Sequence, residues 1–357
     1  MLNFEYISHA FSTDYEQSLT YYLLNGFHPS EKYFNCSQKT EEEWYSEGEP
    51  RPYLGSYFLI SGVILLALYI PCIIVIAKGE LRKSMCYKIM LFLGFLDVTS
   101  LMINSIATGY YGLTGAVFCT NPRFIYLQGN VAVGFWMGAC STCIILALNR
   151  CRDINVNLWI SQLFAGNAIY FTMSIPVVYA LYGTFFIKGI KFNSNYMTWF
   201  FNPFNGGETD DYVNLIHVMN NCTVSVVIIC IYIYLSYLIS TKTRMTQSNA
   251  LSKTQKVVFL QSLAICSFHS VAAYIHFYMQ FFPVSKFVIV IGQIAWQMSD
   301  GAVGIIYLSM NPTIRREVLK LILPETIKKK ISFGRSSMAS TSRVFSVRGG
   351  STQMVQS

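Results

Sequence analysis

Two carboxylates lie within long apolar stretches of this 357-residue sequence: Asp97 in LFLGFLDVTSLMINS and Asp300 in IAWQMSDGAVGII. A charged side chain at membrane depth is costly unless it faces the interior of a helix bundle and finds a partner there. If the two helices are neighbours, the carboxylates would share a cation or a proton, which defines a candidate intramembrane ion or proton site. The alternative is a pair of carboxyl groups that only hydrogen-bond to Ser and Asn neighbours.

Arg150 ends another apolar stretch, in Asn149-Arg150-Cys151. An arginine at such a boundary can extend its side chain to lipid phosphates. Alternatively, it makes contacts with neighbouring helices that change with the state of the protein. The sequence leaves both interpretations open.

The histidines and the enzyme motifs give little support to a catalytic role. His269 and His276 are seven residues apart on one helix, roughly 10 Å along its axis, which is too far for both to bind one zinc ion. The sequence contains neither His-Glu-x-x-His nor Gly-x-Ser-x-Gly. We therefore expect no enzyme, no metal and no cofactor, although His217 and His276 could line a pocket nearer the outer side.

Seven apolar stretches are each long enough to position these residues in a bilayer, since a spanning helix needs about 20 apolar residues. The composition agrees, with 53% hydrophobic and only 12% charged residues. The predicted fold is an all-α membrane protein, a seven-transmembrane helix bundle. The predicted spans, one to seven, are Leu54–Ala77, Ile89–Gly112, Phe124–Leu148, Phe164–Ile187, Val213–Ser240, Val257–Phe282 and Phe287–Met310.

The distribution of basic residues predicts the orientation, because short cytoplasmic loops carry an excess of Lys and Arg. With the amino terminus outside, 19 of the 26 basic residues lie on the inner side. The net charge of +8 is therefore a difference between membrane sides. It does not indicate nucleic-acid binding, which needs a clustered basic face.

Four regions follow from these spans: an extracellular tail (1–53), the helix domain (54–310), an amphipathic cytoplasmic helix (311–323) and a disordered cytoplasmic tail (324–357). The tail 1–53 has no apolar run long enough for a removable signal peptide. The helix after Asn311 places its apolar residues on one face, as expected for a helix on the inner leaflet. These residues are Ile314, Val318, Leu319, Ile322 and Leu323.

Of the ten cysteines, only Cys36 and Cys119 lie clearly on the oxidising outer side. They either form a disulfide that pins the tail over the bundle or remain free thiols. The triplet Asn35-Cys36-Ser37 is a candidate glycosylation site at Asn35.

The chain resembles the nematode serpentine chemoreceptors, most closely those of class T, within the rhodopsin-like seven-helix receptors. The resemblance extends over nearly the whole chain and depends on short motifs in a fixed order. These motifs are FNCS (34–37) with EEW (42–44), YIPC (69–72), CYKIM (86–90), GAVFC (115–119), CIILALNRC (143–151) and IYLSMN (306–311).

The resemblance implies a G-protein-coupled chemosensory receptor in the plasma membrane, with sensory cilia as a further possibility. Arg150 matches the family's arginine at the inner end of helix three, Asp97 the acid of helix two, and Tyr307 the tyrosine near the end of helix seven. Arg150 and Tyr307 would then belong to the signalling switch, and a heterotrimeric G protein would be the partner.

Two departures from this pattern bear on the predicted switch and on the disulfide. Asn149 stands where the rhodopsin-like pattern has an acid, so the neighbouring lock on Arg150 is expected to be lost. The outer loop Lys188–Tyr212 contains no cysteine, which favours Cys36 as the partner of Cys119.

Two functions compete. In the leading interpretation, a small external molecule binds an outer pocket lined by spans three, five, six and seven. In the alternative, the chain is a transporter or channel for a small solute or cation that uses Asp97 and Asp300. The candidate ligand-binding residues are Gln128, Asn130, His217, Asn220, His276, Gln293 and Trp296.

Overall fold

The computed structural model describes residues 14–78, 80–246 and 253–323. Within these ranges, seven helices are long and apolar enough to cross a membrane. Each overlaps one predicted span, and the helices of spans two, three, five and six extend several residues beyond it at one end or both. Span four is shorter than the predicted Phe164–Ile187, because Phe164 ends a separate 3-10 helix, Trp159–Phe164. The helices are Pro52–Lys78, Met85–Thr114, Pro122–Ile154, Ala168–Phe186, Leu215–Thr246, Lys253–Phe281 and Lys286–Met310.

Span two is not a uniform α-helix. It is α-helical over Met85–Leu101, passes through a π-helical segment at Met102–Ala107, and is α-helical again over Thr108–Thr114. A π-segment inserts an extra residue into the turn and so reorients the side chains beyond it. It also contains Asn104 and Ser105, both fully buried.

Span three is the central helix and packs against spans two, four, five and six. Its approach to span four depends on Gly134, because a Cβ there would lie 1.9 Å from Thr184 Oγ1. The motif GFWMG is therefore a packing surface, as small residues four apart allow close helix contact. Span seven closes the bundle against spans one and six.

The face that is predicted to be the outer one, called the outer face below, is covered by the chain itself. Between residues 18 and 51, the segment before span one forms the short helices Leu19–Leu24, Glu31–Phe34 and Glu41–Glu47. The loop between spans four and five forms an antiparallel hairpin of β1 (Lys191–Asn193) and β2 (Thr198–Phe200). A disulfide joins Cys36 to Cys119, with their Cα atoms 5.4 Å apart.

On the opposite face, predicted to be the inner one, the helix Pro312–Ile322 follows span seven directly. The Asn311 side chain caps it by accepting hydrogen bonds from the backbone N–H groups of Thr313 and Ile314. Ile314 and Val318 are buried against the bundle, whereas Leu319 and Ile322 are exposed. The helix thus presents an uncovered apolar edge, as expected at a lipid surface. The predicted tail 324–357 lies outside the described residues.

Candidate functional site

A cavity of about 130 Å³ lies in the outer half of the bundle. Span three contributes Trp136, span five His217, span six His276 and span seven Trp296. The β2 strand and the residue after it close the cavity from outside through Trp199, Phe200 and Phe201. The remaining lining residues are Ala132, Val133, Ile190, Thr198, Met279, Gln280, Val284 and Ile289.

Three of the seven candidate ligand-binding residues line this cavity, namely His217, His276 and Trp296. The other four are not among its lining residues and make hydrogen bonds to other parts of the structure. Gln128 accepts from Tyr111, Asn130 donates to the Tyr126 carbonyl, and Asn220 accepts from Tyr179. Gln293 accepts from Thr198 and donates to the Asn104 carbonyl.

Gln293 instead helps to seat the hairpin over the cavity. Thr198 Oγ1 donates to Gln293 Oε1 at 2.7 Å, and Trp199 Nε1 donates to Thr108 Oγ1 at 2.8 Å. On the other side, the loop backbone lies so close to span three that a Cβ at Gly129 would lie 1.6 Å from the Ile190 carbonyl oxygen. The loop that carries the hairpin therefore forms a lid over the cavity. This lid is attached to spans two, three and seven.

Two lysines that no sequence motif marks, Lys188 and Lys191, hold the base of this lid. Lys188 Nζ donates to the carbonyls of Asp211 and Val213, each at 2.9 Å, and lies 3.5 Å from Asp14 Oδ1. Burial raises the pKa of Asp14 to about 6, although Lys188 opposes this shift. Burial also lowers the pKa of Lys188.

Lys191 lies deeper, with Nζ 4.2 Å from the ring centroid of Phe34 and 5.0 Å from that of Tyr126. Its Nζ donates to the Gly189 carbonyl at 2.8 Å. Burial lowers the pKa of Lys191 well below its ordinary value. A cation between two aromatic rings is attracted to their faces, so Lys191 links β1 to the tail and to span three.

Trp136 separates the outer cavity from a second group of polar residues below. Its ring stacks on His269 with centroids 6.0 Å apart and planes 15° apart, and its centroid is 6.2 Å from that of His276. Its Nε1 donates to Asn221 Oδ1 at 2.8 Å, which fixes the orientation of the indole. Trp136 is therefore in contact with both levels of the bundle.

Below Trp136, the structure brings Asp97 and Asp300 together around His269. His269 Nε2 lies 3.9 Å from Asp97 Oδ1 and 3.8 Å from Asp300 Oδ1, and all three side chains are almost completely buried. Tyr69 donates to the other Asp97 oxygen at 2.8 Å, and Asn104 donates to the other Asp300 oxygen at 2.7 Å. We call Asp97, His269 and Asp300 the buried triad.

The hydrogen bonds of His269 restrict the charge of this triad. Its Nδ1 lies 3.2 Å from the Ile265 carbonyl, which can only accept, so Nδ1 carries a hydrogen. In the neutral ring Nε2 is then an acceptor, and it faces two carboxyl oxygens that also accept. A shared proton or a bound cation would relieve this opposition between the three acceptors.

The same geometry is compatible with a metal ion. The three facing atoms lie within 4.8 Å of one another, and Asp97 Oδ1 and His269 Nε2 have no hydrogen-bond partner in the described structure. Imidazole with two carboxylates is a donor set for borderline divalent ions. His269 could not be assigned to this group from its spacing to His276 on the same helix, because its partners come from spans two and seven.

Arg150 lies at the inner end of span three and is 5% exposed. Its Nη1 lies 3.0 Å from Asp153 Oδ2, and its Nη2 donates to Asn149 Oδ1. Asn149 thus still binds Arg150 through its amide, and the carboxylate is supplied one turn later by Asp153. The interpretation in which Arg150 extends to lipid phosphates is not the arrangement observed. The remaining predicted switch residue, Tyr307, is fully buried, and its ring centroid is 5.7 Å from that of Tyr69.

Comparisons with known proteins agree with this architecture. The profile of the family described as serpentine type 7TM GPCR chemoreceptor Srt matches residues 17–331. The Caenorhabditis elegans protein serpentine receptor class T-55 is 29% identical over 292 residues, which cover 81% of this chain and 80% of that protein. The crystal structure of squid rhodopsin superposes with a TM-score of 0.54 at 14% identity, covering 79% of this chain and 86% of rhodopsin. The predicted seven-helix fold is thereby confirmed.

Proposed function

Because the chain belongs to the serpentine type 7TM GPCR chemoreceptor Srt family, we propose that it is a chemosensory receptor that binds a small external molecule and activates a heterotrimeric G protein. The family is a receptor family and not an enzyme family. The ligand would occupy the outer cavity, and the G protein would bind the inner face around Arg150. The buried triad would lie between the two sites.

The contacts of Trp136 carry this proposal. Its indole lines the outer cavity and also stacks on His269 of the buried triad. A ligand that displaces or immobilises this ring would therefore change the packing around His269 directly. Coupling between sites needs an element with two arrangements that both sites bias, and Trp136 with His269 is the element that we assign to this role.

The triad supplies the proposed ion or proton site. A shared proton or cation between Asp97, His269 and Asp300 holds spans two, six and seven together, since each residue comes from a different span. Loss of this proton or cation would leave two carboxylates facing each other in a medium of low dielectric, where their repulsion is strong. Occupancy of the site would thus favour one helix arrangement over another.

The proposed orientation places the amino terminus outside the plasma membrane and the carboxyl terminus in the cytoplasm. The excess of basic residues on the other side supports it, as does the disulfide at Cys36. Asn35, next to that disulfide, is the proposed glycosylation site, and Ser37 Oγ donates to Asn35 Oδ1 at 2.7 Å. Placement in sensory cilia remains a prediction.

The test is cue-dependent nucleotide exchange on G proteins by the full-length receptor reconstituted in lipid nanodiscs, screened against mixtures of external cues. We expect exchange that rises with cue concentration and saturates. In the Trp136→Leu variant, the cue-dependent exchange should fall at least about tenfold, while the protein yield stays normal. The matched control is Trp159→Leu, because Trp159 is 77% exposed and lies outside the bundle core.

The transporter alternative predicts a different outcome. Under it, the same preparation in liposomes would move a small solute or cation, and Asp97→Asn would abolish that movement. Solute flux without cue-dependent exchange would overturn the receptor proposal. Exchange without flux would support it.

A further inference from the structure

We propose that the buried triad binds one divalent transition-metal ion, with zinc as the ion that its donor set favours, and that this ion joins spans two, six and seven. The inference rests on the proposed function for the role of an ion or proton site between the two ends of the bundle. It goes further by naming the occupant, which follows from the donor atoms, their spacing, their outer partners and their charge.

The three donor atoms of the triad face one another. His269 Nε2 lies 3.9 Å from Asp97 Oδ1 and 3.8 Å from Asp300 Oδ1, and all three atoms lie within 4.8 Å of one another. Two donors of one tetrahedral zinc ion are roughly 3.4 Å apart. The separations from Nε2 therefore need to shorten by about 0.5 Å, and the separation of the two carboxylate oxygens by at most about 1.4 Å. Rotation about the side-chain bonds of the two aspartates covers shifts of this size.

Two of the three donor atoms are buried and unpaired. Asp97 Oδ1 and His269 Nε2 have no hydrogen-bond partner among the described residues, and both side chains are fully buried. His269 Nδ1 is occupied by the Ile265 carbonyl at 3.2 Å, so Nε2 of the neutral ring directs its lone pair towards the two carboxylate oxygens. Buried polar atoms without a partner are rare, and three acceptors that face one another are the arrangement that a cation stabilises.

The spacing favours a metal ion over a shared proton. A proton joins only two atoms, which then lie about 2.7–3.2 Å apart. It would therefore pair His269 with one carboxylate and leave the other without a partner on that side. A metal ion binds all three donors at once, and the nearly equal distances of 3.9 and 3.8 Å from Nε2 to the two oxygens suit that arrangement.

The remaining polar atoms of the ligands are held by outer partners. Tyr69 donates to Asp97 Oδ2 at 2.8 Å, and Asn104 donates to Asp300 Oδ2 at 2.7 Å. Metal-binding carboxylates and imidazoles use their other polar atoms in this way, and such hydrogen bonds orient the ligands. The triad thus has the outer shell of a metal site as well as the donors.

The charge of the triad selects a divalent ion. Two carboxylates and a neutral imidazole carry two negative charges, and within the described ranges neither Asp97 nor Asp300 pairs with Lys or Arg. A divalent ion cancels this charge, whereas sodium would leave one charge uncompensated in a medium of low dielectric. Calcium and magnesium prefer about six or more oxygen ligands. Imidazole nitrogen suits zinc, and three protein ligands with one water molecule complete its tetrahedral shell.

The experiment measures the metal content of the full-length wild-type receptor in lipid nanodiscs. The receptor is purified through a peptide tag without histidine, dialysed against buffered zinc and analysed by inductively coupled plasma mass spectrometry. We expect about one zinc ion per receptor, retained in an excess of sodium and magnesium. A receptor that takes up no zinc, or that releases it to sodium or magnesium, would overturn the inference.

X-ray absorption at the zinc edge identifies the ligands without any variant. We expect a first shell of nitrogen and oxygen at about 2.0–2.1 Å, with the outer scattering of one imidazole ring. Sulfur at about 2.3 Å would place the ion on buried cysteines such as Cys143 and Cys266. That result, or a spectrum without imidazole scattering, would overturn the assignment to the triad.

Two histidine variants locate the ion. His269→Phe keeps a ring against Trp136 but removes the nitrogen donor, so the zinc affinity should fall at least about 100-fold. The matched control is His276→Phe, because His276 lies on the same helix with its ring centroid 6.2 Å from that of Trp136. This variant should retain the ion. Unchanged affinity in His269→Phe, or loss of zinc from His276→Phe alone, would overturn the assignment. If His269→Phe does not fold, the absorption spectrum of the wild type decides.

These measurements use no cue and no G protein, so they separate the inference from the proposed receptor function. A bound zinc ion without cue-dependent exchange would leave the metal site standing and count against the receptor function. Cue-dependent exchange by a receptor that binds no zinc would do the opposite.

Discussion

Arg150 is held by two side chains of its own helix, the Asp153 carboxylate one turn later and the Asn149 amide before it. Removal of one partner from a nearly buried charge pair leaves the remaining charge unbalanced. The Asp153 side chain is 35% exposed and that of Arg150 only 6%. When the pair breaks, water can therefore solvate the Asp153 carboxylate better than the Arg150 guanidinium. The pair therefore favours the arrangement in which Arg150 stays inside the bundle.

The first prediction concerns this pair. Asp153→Asn should raise the cue-independent nucleotide exchange by about two- to tenfold. The reason is that a lost pairing of roughly 0.5–1.5 kcal/mol shifts the equilibrium away from the arrangement in which Arg150 stays inside the bundle. The measurement is basal exchange at equal receptor concentration. Asp210→Asn, an exposed acid on the outer loop, is the control. An unchanged basal rate in Asp153→Asn would show that Asp153 does not restrain Arg150.

The second prediction concerns the buried triad. Asp97→Asn removes one of the two carboxylates that face His269, so the triad no longer requires the same proton or cation. The dependence of cue potency on sodium or on pH should therefore decrease by about fivefold or more, while the surface level stays near normal. The measurement is cue potency at low and high sodium and at two pH values. A variant with wild-type potency and wild-type ion dependence would make the carboxylate purely structural.

At this scale, the sequence was sufficient to place Asp97 and Asp300 within membrane spans and to suggest that they meet. It was not sufficient to find His269, because the contact joins span six to spans two and seven and leaves no periodic signal. Similarly, the types of His217, His276 and Trp296 suggested a pocket, but Gln293 looked equally suitable. Only the fold shows that Gln293 is used by Thr198 of the lid.

At the scale of elements, the π-segment of span two and the outer hairpin are the features that position the site. The π-segment places Asn104 against Asp300 and Ser105 against the Phe58 carbonyl. No proline or glycine occurs within Met102–Ala107 to announce it, so the sequence predicted only a continuous span. The aromatic composition of the loop Lys188–Tyr212 is compatible with a lid over the bundle, but its strand register cannot be read from the sequence.

The third prediction tests the attachment of the outer cap. The double variant Cys36→Ser, Cys119→Ser should lower the free energy of unfolding by about 2–4 kcal/mol, because the disulfide closes a long loop in the unfolded chain. Thermal unfolding of the purified receptor, followed by tryptophan fluorescence, measures this loss. Cys222→Ser is the matched control, since Cys222 is an exposed free cysteine of span five. If the double variant unfolds at the same temperature as the wild type and Cys222→Ser, the disulfide does not stabilise the cap.

At the scale of the whole molecule, the two faces differ in how they respond to their surroundings. The outer face is closed by a buried ion pair, Asp14 with Lys188, at the point where the tail meets the lid. The inner face is basic, and Lys242 Nζ donates to the Ile154 carbonyl at 2.9 Å, which joins the inner ends of spans five and three. In the proposed orientation, external pH acts on the cap and a cytoplasmic partner acts on the opposite end.

The fourth prediction is a pH dependence of the cap. The pKa of Asp14 is raised to about 6 in the folded protein from an ordinary value of 3.8, so the folded state binds this proton more tightly than the unfolded state. The resulting stability is complete below about pH 4 and decreases as the pH rises through 6. Between pH 5 and pH 7 the free energy of unfolding of the wild type should fall by about 1 kcal/mol, and that of Asp14→Asn should not.

Thermal unfolding at both pH values measures the difference. The control is Glu208→Gln, because Glu208 is exposed. Parallel pH profiles of the wild type and Asp14→Asn would refute the assignment.

The last prediction concerns the inner face as a surface for a G protein. Attraction alone decides little there, because basic loops attract anionic lipid as well as an acidic partner. Arg150→Ala removes one of the 19 inner basic residues and should hardly change that attraction. Because Arg150 is almost fully buried here, it can reach a partner only after the helices around it separate. Cue-dependent exchange should therefore fall by at least about tenfold, while cue binding and surface level persist.

The control is Lys320→Ala, because Lys320 is an exposed basic residue of the helix after span seven. This variant removes the same charge from the surface and should retain most of the response. If both variants lose the same small fraction of activity, net charge and not Arg150 accounts for the coupling.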